Sequence, residues 1–93
     1  MMKKQIFVRR GPLEIIFNIL DSIGSEESGK LSRTHIMYMS NLNWNQLKIY
    51  LSYMKDKDLI DKTVYQGKEY YVITYHGVQM LNLLRTINNL LIE

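Results

Sequence analysis

Apolar positions along this chain change their period repeatedly, and the changes mark out its elements. Leu13, Ile15, Ile16, Ile19, Leu20 and Ile23 recur at the spacing of one helix face, so the pattern predicts a helix over 12–23. Pro12 suits its first turn, where a missing N–H leaves no hydrogen bond unmade. Gly24 to Gly29 reads as a flexible loop, the least ordered interior segment expected. Lys30-Leu31-Ser32 then offers a one- or two-residue strand, and a short helix is predicted over 34–40. Asn41-Leu42-Asn43 is a tight turn into the next helix, over 44–57. Asn43 is a good N-cap there, with Gln46 three positions on as in a capping box. On a helical wheel Leu47, Tyr50, Leu51 and Met54 fall on one side, with Trp44 at its edge. That is the expected core face, with Leu47, Leu51 and Met54 packed on Ile16, Ile19 and Leu20.

From Ile60 the pattern becomes that of a hairpin, with strands over 60–65 and 69–73 and a turn at Gln66-Gly67-Lys68. Thr74 caps a last helix predicted over 75–92. Met80, Leu84, Ile87 and Leu91 make a heptad-like seam on it, with Leu83 and Leu90 on one side, Gly77 and Leu81 on the other. That apolar arc covers about half the helix, wider than the ~100° stripe one packing surface needs. It predicts a homodimer with Met80, Leu83, Leu84, Ile87, Leu90 and Leu91 at the interface. Helix, helix, turn, helix, hairpin, helix is the outline of an α+β winged helix-turn-helix, with a two-stranded wing and a C-terminal dimerisation helix. Residues 1–11 precede it as a basic arm, in which Gln5-Ile6-Phe7-Val8 can form a short strand; the domain spans 12–93.

Composition adds limits. A single domain of 93 residues buries only about 60–65% of its unfolded surface and is marginal as a monomer. A net charge of +3 permits nucleic-acid binding without establishing it. The distribution says more: Lys3, Lys4, Arg9 and Arg10 cluster in the arm, while Asp21, Glu26 and Glu27 form an acidic patch. The absence of cysteine excludes disulfides and thiolate chemistry and fits an intracellular protein. No apolar run approaches the ~18–20 residues of a membrane span, and no apolar stretch of a signal peptide follows the basic start. The expectation is a cytoplasmic, nucleoid-associated protein with no membrane partner. His35 and His76 stand apart, whereas a metal site wants ligands at close spacing. Asp56 and Asp58 read as a solvated helix end. Glycine-rich phosphate loops and nucleophile elbows are lacking. No enzyme activity, metal or cofactor is expected.

The helix after the turn is the candidate reading head, because a major groove accepts one α-helix. Asn45 suits adenine edges, Lys48 a phosphate or guanine, Ser52 a base or phosphate, and Ile49 a thymine methyl. Asn43, Gln46, Tyr53 and Arg33 complete the set around it. Ile49 and Tyr53 are odd choices for a face that otherwise sees water. Gln66 and Lys68 at the wing can reach a minor groove or the backbone, and Lys3, Lys4, Arg9 and Arg10 can track phosphates. The bland alternatives are a solvated helix face, an ordinary turn and a frayed terminus.

Three blocks carry a family resemblance. They are Leu13-Glu14-Ile15-Ile16 with Ile19-Leu20, Thr34-His35-Ile36-Met37-Tyr38 with Asn41-Leu42, and Tyr70-Tyr71-Val72-Ile73-Thr74 with Gly77 and Leu81. Over about 13–84 the chain resembles the small archaeal winged-helix DNA-binding proteins, in particular the ten-kilodalton crenarchaeal chromatin-associated group and its viral and plasmid relatives. The resemblance implies a homodimer built through the last helix and binding to double-stranded DNA. The chromatin-associated members carry a long coiled coil where this last helix is short, and the basic arm here is longer. Both departures favour a compact transcriptional regulator that binds specific sequences. An architectural chromatin-type binder and a winged-helix protein–protein docking module are the alternatives.

Overall fold

The computed structural model describes residues 11–91. Its elements are α1 (Pro12–Gly24), β1 (Lys30–Leu31), α2 (Arg33–Ser40), α3 (Trp44–Asp56), β2 (Ile60–Tyr65), β3 (Lys68–Ile73) and α4 (Tyr75–Leu91). The strands form one antiparallel sheet in the order β1-β3-β2. This is the α+β winged helix-turn-helix read from the sequence. The expected arm over 1–11, with its strand at Gln5–Val8, lies almost wholly outside the described residues.

Local chemistry explains the boundaries. Gly11 precedes Pro12, which opens α1. Ser32 caps α2 by accepting from the His35 amide at 3.2 Å, so that helix starts at Arg33, one residue earlier than its pattern suggests. Asn41 ends α2 in the left-handed region (φ 57°), a conformation its short polar side chain tolerates. Two residues, Gln66 and Gly67, turn the wing, both with positive φ (51° and 77°). Paired positive φ values match the twist of a two-residue hairpin, and Lys68 thereby joins β3 instead of the turn. The loop expected to be flexible is a stitched connection. Ser25 N–H donates to Asp21 O, Glu26 N–H to Ile23 O, and Gly29 N–H to Glu26 O.

The core gathers Ile15, Phe17, Ile19, Leu20 and Ile23 of α1, Ile36 of α2, Leu47, Leu51 and Met54 of α3, and Leu81 and Leu84 of α4, with Leu31, Leu59, Ile60 and Tyr71 around the sheet. Ile16 is only half-buried, while Phe17, off the periodic face, is buried. On α4 the buried stripe is Gly77, Leu81, Leu84 and Asn88, not the whole of the seam Met80, Leu84, Ile87 and Leu91. Leu84 is therefore used within the chain. Met80 is half-buried; Leu83 (61%), Ile87 (44%) and Leu90 (76%) stay exposed, and the Leu91 side chain lies outside what is described.

Three contacts fix α4 on the body. The Thr74 hydroxyl accepts from the Gly77 amide at 3.0 Å and donates to the Asp58 carbonyl at 2.5 Å. A Cβ on Gly77 would stand 2.0 Å from the Leu59 carbonyl oxygen, so the helix start can approach that backbone only with glycine here. Further along, Arg85 donates to Asp21 of α1 through Nε (3.2 Å) and Nη2 (2.5 Å).

Candidate nucleic-acid interface

The turn between α2 and α3 sets the aim of α3. Asn43 Oδ1 accepts from the Gln46 amide at 2.8 Å, and Gln46 Oε1 accepts from the Asn43 amide at 3.1 Å. Both halves of the capping box are made. The side-chain oxygens of Asn43 and Gln46 are thus occupied in starting the helix, and their first task is structural.

Beyond the cap, the solvent side of α3 divides into two unlike halves. Lys48, Ser52 and Lys55 turn toward the wing. With Trp44, Leu51, Lys62 and Tyr71 they line a hollow of about 220 Å³ between α3 and the sheet. A second hollow of about 280 Å³ opens beside it, lined by Arg33, Thr34, Trp44, Lys62, Lys68, Glu69 and Tyr71. Trp44, Lys62 and Tyr71 belong to both, so the two form one groove running from α3 past the start of α2 to the wing. Arg33 is held there with its guanidinium 4.5 Å from the centre of the Trp44 ring, a cation–π contact. Asn45 is exposed near the start of α3, beyond Trp44.

The other half of α3 is apolar. Ile49 (67% exposed) and Tyr53 (49%) turn toward α1, where with Pro12, Ile16 and Tyr50 they line a shallow hollow of about 320 Å³. The structure thus separates Ile49 and Tyr53 from Lys48 and Ser52, which the sequence reading had put on one face. The wing carries its own basic and aromatic cluster. Lys30 lies over the Tyr65 ring at 4.5 Å, and Lys68 lies 5.9 Å from the Tyr70 ring centre. Gln66 is exposed at the tip. Lys3, Lys4, Arg9 and Arg10 lie outside the described residues.

Sequence reasoning missed Lys55 and Lys62. Lys55 was legible: it lies seven residues after Lys48, with Ser52 between, on one helical stripe. Lys62 was not, because only the sheet register, which sets it opposite Tyr71, turns it toward α3. His76 Nδ1 lies 2.7 Å from Asp58 Oδ2 on the surface beside the α4 cap. Among the described residues no group of three or more His, Cys, Asp or Glu is placed to hold a metal ion. None of the described helices is long and apolar enough to cross a membrane.

A helix-turn-helix followed by a hairpin, sharing one groove, is the geometry of a known family, and the family's sequence profile, winged helix-turn-helix, matches residues 9–91. The chain belongs to that winged helix-turn-helix family. It is 32% identical over 84 residues to an uncharacterized protein of Methanocaldococcus jannaschii. That match takes in 90% of this chain but 36% of the relative, so the chain spans about a third of the length of the curated relative it matches. Among solved structures, this winged-helix chain is similar to Sso10a-2, a DNA-binding protein from Sulfolobus solfataricus (TM-score 0.71, 22% identity, 84% of this chain and 78% of that one). It is also similar to AbsC, a MarR family transcriptional regulator from Streptomyces coelicolor (0.70, 14%, covering 76% and 50%). MarR from E. coli, in its oxidized form, matches at 0.72 with 14% identity, covering 80% and 53%. The resemblance to small archaeal winged-helix proteins therefore stands, and the fold is shared with regulators of wider origin.

Proposed function

We propose that this winged-helix chain binds double-stranded DNA as a sequence-specific, homodimeric transcriptional regulator, without catalysis, in the cytoplasm at the nucleoid. The observation that carries the reading is the groove between α3 and the wing, lined by Arg33, Lys48, Lys55, Lys62 and Lys68. Cations on four separate elements, α2, α3, β2 and β3, line one groove and match the track of a phosphate backbone. On this reading Asn45, Lys48 and Ser52 of α3 reach base edges, as side chains of a recognition helix do. Gln66 and Lys68 reach the neighbouring stretch of duplex, and Lys3, Lys4, Arg9 and Arg10 add phosphate contacts. The likeness to Sso10a-2 and to two MarR-type structures supports the same reading.

The second reading is a docking module. The hollow of Pro12, Ile16, Ile49, Tyr50 and Tyr53 favours it, since these apolar side chains suit a protein partner. Selection of bound sites from random duplexes, with binding followed as salt rises, decides between the readings. A regulator yields an enriched motif and affinity that falls steeply with salt. An architectural binder yields the salt dependence without a motif. A docking module shows no retention on DNA even at low salt, and that result would overturn the proposal.

A further inference from the structure

We propose that Glu69 is an internal competitor for the DNA backbone: it holds Lys62 in the free protein, and a backbone phosphate must displace it. The inference rests on the DNA-binding reading above and adds to it a residue that opposes binding.

Among the residues lining the two joined hollows, Glu69 is the single acid beside five cations. Its Oε1 lies 3.7 Å from Lys62 Nζ. Lys62 is the cation common to both hollows, so a carboxylate on it occupies the middle of the track. The pairing follows from the wing itself. Lys62 stands opposite Tyr71 and Glu69 opposite Val64, which makes them diagonal neighbours on one face of the hairpin. Both side chains are well exposed, 43% for Lys62 and 66% for Glu69. A solvated pair of this kind is weak and readily exchanged. A phosphate entering the groove gains Lys62 only by losing the Glu69 pairing, and it meets the repulsion of the carboxylate as well. Arg33, which lines the same hollow, is held over the Trp44 ring.

The consequence is a lower affinity for duplex of every sequence, with the ratio between target and non-target sites unchanged. A backbone contact acts on every sequence alike, so its partial cancellation lowers binding to arbitrary DNA without touching base readout.

The test is a double-mutant cycle with Glu69→Gln and Lys62→Met, read by anisotropy on a mixed-sequence duplex at two salt concentrations. Glu27→Gln serves as the control, since it makes the same charge change in the exposed loop after α1. Glu69→Gln is expected to tighten binding to all duplexes about three- to tenfold, beyond the control, and to do so mostly at low salt. In the Lys62→Met background that gain should largely disappear. A Glu69→Gln gain equal to that of Glu27→Gln reduces Glu69 to net charge, and a gain undiminished in the Lys62→Met background removes Lys62 from the account. Either result overturns the competitor while leaving DNA binding standing. Failure of the unmodified protein to bind duplex at low salt overturns both.

Discussion

Asn45, exposed near the start of α3, and Lys68, on the wing, differ in what they can recognise. A side-chain amide matches the paired donor and acceptor of an adenine edge, whereas an ammonium on the wing meets phosphates that every sequence carries. Asn45→Ala is expected to relax preference at one base position and to cost about 1–3 kcal/mol on the preferred site. Lys68→Ala is expected to weaken all sequences alike and lower the salt slope by about 1 unit. A binding matrix of variants against duplexes at two salt concentrations separates the two. If neither variant changes any affinity, α3 is not the reading head. Gly77 poses a different residue-scale question, about fit. Its missing Cβ is what lets α4 start against the Leu59 carbonyl, 2.0 Å from where that Cβ would stand. Backbone cannot yield as a flexible side chain does, so Gly77→Ala is expected to cost about 3 kcal/mol or more in urea unfolding. A loss under ~1 kcal/mol would mean that α4 can shift without consequence.

At the scale of elements, α3 is both a core helix and the carrier of the groove, and its two roles can be separated by mutation. Leu51 is buried between α3 and the rest of the core. Leu51→Ala is expected to cost about 2–5 kcal/mol, enough to unfold much of a small domain. Asn43→Ala leaves the core alone and removes the cap, at about 0.5–2 kcal/mol, while loosening the helix start beside Asn45. A thermal melt orders the two: the Leu51 variant should fall further, and the reverse order would contradict the packing of α3. The same element shows what sequence alone could tell. The cap at Asn43 and Gln46 was legible because its chemistry lies within four residues. So was the buried face, since Leu47, Leu51 and Met54 repeat at helical spacing. The split of the outer face was not legible. A wheel gives angular distance from the core, not which neighbour stands on either flank, so Ile49 and Tyr53 could not be told from Lys48 and Ser52. Lys62 reaches α3 only through strand pairing, a contact that no local pattern records. Phe17 was missed because α1 is covered on more sides than one periodic face, which only the tertiary arrangement reveals.

At the scale of the whole molecule, the outer side of α4 is the surface that bears on assembly. Leu83, Ile87 and Leu90 follow one another at helical spacing and are all exposed, in a chain with few residues to hide them. Arg85 to Asp21, and the close seat of Gly77 on Leu59, fix how α4 is rotated against α1 and the sheet. The direction of the stripe relative to α3 is therefore set by the fold. A second copy meeting it across a two-fold axis would place two α3 helices at one defined separation. For a groove-reading dimer that separation must be close to one helical turn of DNA, about 34–36 Å, or a multiple of it. Because Leu83 and Leu90 are exposed on the single chain, replacing both with Glu should leave the fold intact and break only the assembly. Buried Leu84 could not serve this purpose, as its loss would unfold the chain. The expected result is a fall from dimer to monomer mass in sedimentation, with unchanged helical circular dichroism at high protein concentration. Melting of the unaltered protein should rise with concentration and that of the variant should not. Binding to a site with two half-sites should weaken far more than binding to a single half-site, because only a dimer engages both together. An unchanged mass with intact folding would remove Leu83 and Leu90 from the interface and with them the two-helix geometry.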